Sequence, residues 1–243
     1  MTNFAFLFDL DGVISNTATM HAKAWKVVFD KVLEENHIGR DVFDECKDYL
    51  RYLDGKSRLT GIQDYLDAYE IFLPLGNDKA TGFDSVHGIG NTKNVVFRNL
   101  VEEKGVPIFS DALRLLEKLK KLGVDIGLAS SSKNAKFILE KAKLLSYFKS
   151  IMDGVVAEDE NIGSKPAADF YRHASLLLNR PASECIVLED AISGIRSAAN
   201  AGAGLVVGIS RVGSGEHLIN YGADIVISSL DELPSSTLSS VSG

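Results

Sequence analysis

Phe4-Ala5-Phe6-Leu7-Phe8-Asp9-Leu10-Asp11-Gly12 is the stretch on which the reading of this chain turns. The apolar run from Phe4 to Phe8 shows no polar alternation, the pattern of a strand covered on both faces. It ends on two aspartates and a glycine. Residues two apart in an extended chain point the same way, so Asp9 and Asp11 project together from the strand's carboxyl end, where open α/β sheets place their ligands. Two acids before a glycine also suit an ordinary solvated turn, and the choice depends on what the rest of the chain supplies.

Outward from this stretch, short apolar runs recur at Val124–Ala129, Cys185–Leu188, Leu205–Val207 and Ile225–Ile227, with helical patterns between them. Asp111 to Leu122 places Leu113, Leu116, Leu119 and Leu122 at helical spacing, with Ser110 as N-cap and Gly123 just past the end. Ala191 to Ala201 is a helix of small residues closed by Gly202. Strands alternating with helices predict an α/β fold with a doubly wound parallel sheet. Residues 16–106 break the rhythm. Amphipathic patterns at Ala22–Leu33 and Val42–Leu53, with no buried strand, predict an inserted helical domain. The expected organisation is a catalytic core of 1–15 and 107–233, a helical cap of 16–106, and a Ser-rich, disordered tail of 234–243.

The 243 residues carry 26 Lys+Arg against 33 Asp+Glu, a net charge of −7 that repels a polyphosphate backbone, so no nucleic-acid partner is expected. Cys46 and Cys185 form no CxxC pair and suggest neither zinc nor a disulfide framework. The uncharged run Ser197–Ser210 falls short of the ~20 apolar residues of a membrane span. The N-terminus has no basic n-region. A cytoplasmic protein without a membrane or an obligate protein partner is expected.

The run Cys185–Leu188 leads straight into Glu189-Asp190, so two strand ends each deliver a pair of carboxylates. If those strands are neighbours, four negative charges share a small volume, and some must stay protonated unless a cation is present. A hard divalent ion with oxygen ligands resolves the conflict, and Mg²⁺ suits because it binds through few carboxylates and bridges to phosphate. Two further segments follow the same logic. Ala129-Ser130-Ser131-Ser132-Lys133-Asn134 and Ser164-Lys165-Pro166 offer hydroxyls, helix-start amides and an ammonium, the groups that a phosphoryl group requires. No GxGxxG or GxxxxGK[ST] spacing accompanies them, so neither NAD nor ATP is implied.

Asp9-x-Asp11-Gly12, Ser130 after an apolar strand, Lys165 before a proline and Glu189-Asp190 after another strand together resemble the four motifs of the haloacid dehalogenase-like (HAD) phosphotransferases. The resemblance implies a Rossmann-like core with a helical cap inserted after the first motif. Within the cap, His21 and Trp25 in Thr19–Trp25, the segment Gly55-Lys56-Ser57-Arg58 and the pair Lys93-Asn94 are similar to β-phosphoglucomutases. The cap stretch from Asp67 to Gly90 is longer than in compact members.

By this resemblance Asp9 is the nucleophile and Asp11 the general acid and base, with Ser130 and Lys165 assisting. Mg²⁺ would be held by Asp9, the Asp11 backbone carbonyl, Glu189 and Asp190. Trp25, Gly55, Arg58, Ser132, Lys133 and Asn134 would bind substrate, while His21 and Lys93 would link the cap to the protonation of Asp11. The implied partner is a small sugar phosphate. The leading reading is a mutase converting β-glucose 1-phosphate to glucose 6-phosphate, and its alternative is a sugar-phosphate phosphatase. A phospho-acceptor signalling domain is disfavoured by the inserted domain, and a non-catalytic sugar-phosphate binder by the intact acids.

Overall fold

Six parallel strands form one sheet: β1 (Ala5–Phe8), β2 (Ile126–Ala129), β3 (Ser150–Met152), β4 (Cys185–Glu189), β5 (Leu205–Ile209) and β6 (Ile225–Ile227). Their order is β3-β2-β1-β4-β5-β6 in this computed structural model, which describes residues 4–36, 42–54, 56–234 and 237. This is a doubly wound, Rossmann-like sheet whose winding reverses between β1 and β4, the position at which such sheets bind ligands. β3 is absent from the sequence reading because Ser150 opens its three residues, Ser150-Ile151-Met152, and leaves no apolar run to detect. The chain separates into two compact units, Met1–Asn16 with Val106–Gly243, and Thr17–Gly105.

In the second unit three helices, α1 (Ala18–Glu35), α2 (Arg58–Ala68) and α3 (Val86–Lys104), pack on an aromatic core. Trp25 stacks on Phe29 at 5.2 Å, and Phe29 meets Tyr65 at 4.0 Å and Phe43 at 5.5 Å. Ser57 and Ser85 cap α2 and α3 by accepting from the amides of Thr60 and Gly88. The amphipathic stretch Val42–Leu53 is helical only over residues 47–53, with Tyr49–Leu53 wound as a π-helix. The Asp44 carboxylate accepts from the amides of Cys46 and Lys47 and so starts the helix late. Phe43 meanwhile is drawn into the aromatic core with its amide on Asp30. The long stretch before α3 is irregular and tied to that helix, since Asn91 donates to the carbonyls of Asp78 and Ala80 and Thr92 pairs with Gly82.

The core unit adds α4 (Ser110–Lys121), α5 (Ala135–Lys141), α6 (Gly154–Asp159), α7 (Ala168–Leu177) and α8 (Ile192–Ala201). α7 and α8 pack side by side, α7 on β2 and β3 and α8 on β4 and β5. Ala5 and Leu7 face this layer, whereas Phe6 and Phe8 point the opposite way and are also fully buried. Both faces of β1 are therefore covered. Phe109, not Ser110, is the N-cap of α4; its amide is held by the Ile14 carbonyl at 3.0 Å. The buried apolar residues of α4 are Ala112, Leu115, Leu116 and Leu119, and Leu122 is 43% exposed. Strict spacing of three drifts by ~60° per step on a 3.6-residue turn, which carries Leu122 off the face. α4 ends as expected, with Gly123 in the left-handed region and Val124 donating to Leu119.

Phe29 touches three other rings, so Phe29→Ala is expected to destabilise the helical unit by about 3–5 kcal/mol. Denaturant titration followed by tryptophan fluorescence of the adjacent Trp25 measures this.

Candidate active site

β1 and β4 pair in parallel with Phe8 opposite Leu188, and the Asp9 amide continues the ladder to the Leu188 carbonyl at 3.0 Å. This register sets Asp9 beside Glu189 at the carboxyl ends of adjacent strands. Oxygens of Asp9, Glu189 and Asp190 lie within 4.8 Å of one another. Asp9 and Glu189 are buried.

Lys165 reaches into this group and is itself buried. Its Nζ donates to Asp9 Oδ1 at 2.7 Å, to the Ala129 carbonyl at 2.9 Å and to Glu189 Oε1. The ammonium also lies over the rings of Phe170, at 5.3 Å, and Tyr171, at 5.1 Å. The peptide bond that follows, Lys165–Pro166, is cis. Glu189 is held at both oxygens: Tyr171 Oη donates to Oε1 at 3.0 Å and the Ala191 amide to Oε2 at 3.1 Å.

Burial pushes the Asp9 carboxyl well above the ordinary carboxylate range, with Glu189 and Asp11 adding to the effect and Lys165 opposing it. Burial alone would lower Lys165, but the Asp9 and Glu189 charges more than reverse this and hold it above an ordinary ammonium. Burial and Glu189 raise Tyr171 well above a free phenol, so its hydroxyl remains a donor.

Two glycines make room for the carboxylates. A Cβ at Gly194, on the first turn of α8, would overlap the Glu189 carboxylate, and one at Gly12 would overlap that of Asp190. Gly12 also has φ +86°, which side chains other than glycine rarely adopt. Asp11 stands between Asp9 and this glycine and is partly buried.

The remaining core residues singled out in the sequence lie on the loop after β2. Ser130 is buried and its Oγ accepts from the Ser132 amide at 3.2 Å, while Ser132 Oγ accepts from the Asn134 amide at 3.2 Å. Asn134 occupies the N-cap position of α5. Lys133 points outward and pairs with Glu158, both being substantially exposed. Such a surface pair is worth ~1 kcal/mol or less and is readily exchanged for an anion.

In the helical unit, His21, Arg58, Lys93 and Asn94 form one cluster. Lys93 is buried and its Nζ contacts His21 Nδ1 at 2.5 Å, over the rings of Trp25 at 4.9 Å and Phe97 at 4.8 Å. His21 stacks on Phe97 at 4.0 Å. Arg58 Nη2 donates to Asn94 Oδ1 at 3.4 Å, and its side chain crosses α3 at Gly90, where a Cβ would press on Arg58 Cδ at 2.8 Å. Burial, with Lys93 and Arg58 adding to it, lowers His21 well below its ordinary pKa. A neutral imidazole accepting from Lys93 through Nδ1 carries its own hydrogen on Nε2. Trp25 is 5% exposed and its ring is spent on Phe29 and Lys93. Gly55 lies outside the described residues.

Comparison with known proteins agrees with this arrangement. A family model for haloacid dehalogenase-like hydrolases matches residues 5–202. The chain belongs to the haloacid dehalogenase-like family. It is 36% identical over 237 residues to a β-phosphoglucomutase of Mycobacterium bovis, covering 94% of this chain and 90% of that protein. It is 31% identical to one of Bacillus subtilis, covering 94% and 91%. The crystal structure of a β-phosphoglucomutase from Clostridium difficile superposes with a TM-score of 0.74 at 26% identity, covering 97% of this chain and 95% of that one. The chain is thus an enzyme of the phosphotransferase and phosphatase class, similar to β-phosphoglucomutases.

Within a haloacid dehalogenase-like core, the acidic cluster fits a hard divalent cation. Asp9, Glu189 and Asp190 bring three carboxylates together while Lys165 pairs with Asp9 and Glu189, and burial, with the charges of Glu189 and Asp11 adding to it, lifts the Asp9 pKa. Oxygen donors alone suit Mg²⁺. Sequence reading missed Tyr171 and Gly194. Tyr171 lies six residues beyond Lys165 in the segment Asp169-Phe170-Tyr171, and an aromatic pair closely following a motif lysine is the signal that was available.

Mg²⁺ is expected to raise the unfolding temperature with the logarithm of its concentration above Kd, a stabilisation of about 2.7 kcal/mol at a hundredfold excess. Thermal unfolding with and without Mg²⁺ measures this, and Asp190→Asn should abolish most of the rise.

Proposed function

We propose that this enzyme is a Mg²⁺-dependent phosphohexomutase that converts β-glucose 1-phosphate to glucose 6-phosphate through a sugar bisphosphate. The observation that carries the reading is the buried ammonium of Lys165 shared by Asp9 and Glu189 at the β1/β4 switch point. A carboxylate that attacks a phosphate dianion meets repulsion, and a fixed cation beside it lowers that barrier.

The roles follow from charge and position. An oxygen of Asp9 attacks phosphorus, the bond from phosphorus to the sugar oxygen breaks, and the departing oxygen takes the proton of the Asp11 carboxyl. Asp9 is left as an acyl phosphate. In the other half of the cycle the 6-hydroxyl of a β-glucose 1-phosphate gives its proton to Asp11 and attacks the same phosphorus, which frees Asp9 and forms the bisphosphate whose 1-phosphoryl group Asp9 next attacks. Ser130 and the amides of its loop hold the phosphoryl oxygens, and Ser132, Lys133 and Asn134 bind a phosphate group. When bound, Mg²⁺ on Asp9, Glu189, Asp190 and the Asp11 carbonyl supplies further screening of charge between nucleophile and phosphate.

A mutase must also bind the phosphate that is not reacting and keep water from the acyl phosphate. Arg58, with a planar guanidinium, and the pair His21–Lys93 are the cap groups we assign to the substrate, and Trp25 and Asn94 hold them in place. The β-phosphoglucomutases of M. bovis and B. subtilis support this choice over a phosphatase. Two unpaired thiols, Cys46 and Cys185, suit a reducing cytoplasm.

In a coupled assay with β-glucose 1-phosphate and a trace of bisphosphate, glucose 6-phosphate is expected with little free phosphate. Stoichiometric phosphate release would instead identify a sugar-phosphate phosphatase. Asp9→Asn should remove turnover of either kind. Arg58→Ala should cost about 1.5–3 kcal/mol of transition-state stabilisation, roughly 10- to 150-fold in kcat/KM.

A further inference from the structure

Arg211 and Asp111 take part in none of the steps above, yet they form a half-buried ion pair against the loop that carries Asp11. Arg211 lies just beyond β5. All three of its nitrogens are engaged: Nε donates to the Gly12 carbonyl at 3.2 Å, Nη2 to the Val13 carbonyl at 2.9 Å, and Nη1 to the Asp111 carboxylate. The guanidinium lies flat over the Phe109 ring, 4.0 Å from its centre. Asp111 is buried, and the oxygen that meets Arg211 also accepts from the Leu230 amide at 2.7 Å and from Ser229 Oγ at 2.9 Å. The fork is therefore fixed from behind by residues remote in sequence.

The carbonyls that Arg211 grips are those of the two residues following Asp11. Gly12 is the most permissive residue of the loop and sits at φ +86°, so its own backbone preference does not set the direction of Asp11. Its other side is closed, because the space of its missing Cβ is filled by the Asp190 carboxylate. Gly12 is held between Arg211 and Asp190. Burying a charged pair costs desolvation that an apolar pair of equal shape would avoid, so the benefit of this one lies in geometry. A planar guanidinium aims its donors in fixed directions within one plane, so it can span two consecutive carbonyls and a carboxylate while lying on a ring; an ammonium gathers its donors at one point on a flexible stem and cannot reproduce that spread.

We propose that Arg211, oriented by Asp111, is a positioning residue that sets the Asp11 carboxyl at the leaving oxygen. This rests on the acid and base role of Asp11 given above. The test uses Arg211→Lys, which keeps a cation for Asp111, in the full chain with Mg²⁺, compared with wild type and with Asp11→Asn. Two phosphoryl donors separate the possibilities. The sugar bisphosphate that forms during turnover of β-glucose 1-phosphate expels an alkoxide that needs a proton, whereas acetyl phosphate expels a carboxylate that does not. Arg211→Lys is expected to lower kcat for the sugar phosphate about 10- to 100-fold with KM changed less than about threefold, while phosphorylation of Asp9 by acetyl phosphate stays within about threefold of wild type. Asp11→Asn should show the same contrast more strongly. Hydrogen exchange of the peptide spanning residues 10–15 should quicken in Arg211→Lys, with the rest of the core unchanged. Equal loss on both donors, or no loss on either, overturns the positioning role. Failure of wild type to phosphorylate Asp9 from acetyl phosphate overturns the phosphotransfer reading beneath it.

Discussion

The contact between the Lys165 ammonium and the carboxylates of Asp9 and Glu189 is the interaction on which the core depends. A strand order that did not place β1 beside β4 would leave each acid alone at a strand end, exposed and ordinary. Adjacent, they crowd, and burial turns the crowding into a problem of charge. Lys165 relieves part of it while resting between two aromatic rings and on the Ala129 carbonyl. What remains is an excess of negative charge with oxygen donors only, which is the demand for a divalent cation stated in the language of the fold.

The same economy of space appears in the small residues around the acids. Gly194 lets α8 begin directly against Glu189, and Gly12 lets the first loop run against Asp190. The helical unit repeats the theme with different groups: Lys93 is buried, lies over the rings of Trp25 and Phe97 and is directed at His21, whose imidazole is kept neutral by burial with Lys93 adding to the effect. In each unit a lysine has been drawn into a dry site and aimed by aromatic rings. Its charge acts at a fixed point in surroundings that weaken it less than water would.

Much of this was legible in the chain itself. Strands buried on both faces leave unbroken apolar runs, so β1, β2, β4 and β5 show in the sequence, and the acids that end β1 and β4 show with them; the half-buried edge strand β6 shows because Ile225–Ile227 is itself an apolar run. The other edge strand, β3, does not, because Ser150 opens it and leaves no apolar run. Helix edges were less legible: Phe109, at the N-cap position of α4, is tied to Ile14 by its amide, and Asp44 delays the helix after it, both being contacts that spacing does not report. The residues that escaped notice, Tyr171, Gly194 and Arg211, owe their importance to partners far away in sequence. The burial of Trp25 beneath Lys93 was not legible, since an i, i+4 pair with His21 reads the same whether the tryptophan faces outward or inward.

The central claim is that Asp9 is the group that takes the phosphoryl. Rapid quenching of the enzyme during turnover of β-glucose 1-phosphate, followed by mass spectrometry of its peptides, tests it directly. One phosphoryl group is predicted on the peptide containing Asp9, and none in Asp9→Asn. Continued turnover in Asp9→Asn, or a phosphoryl group on any other residue during turnover, would contradict it.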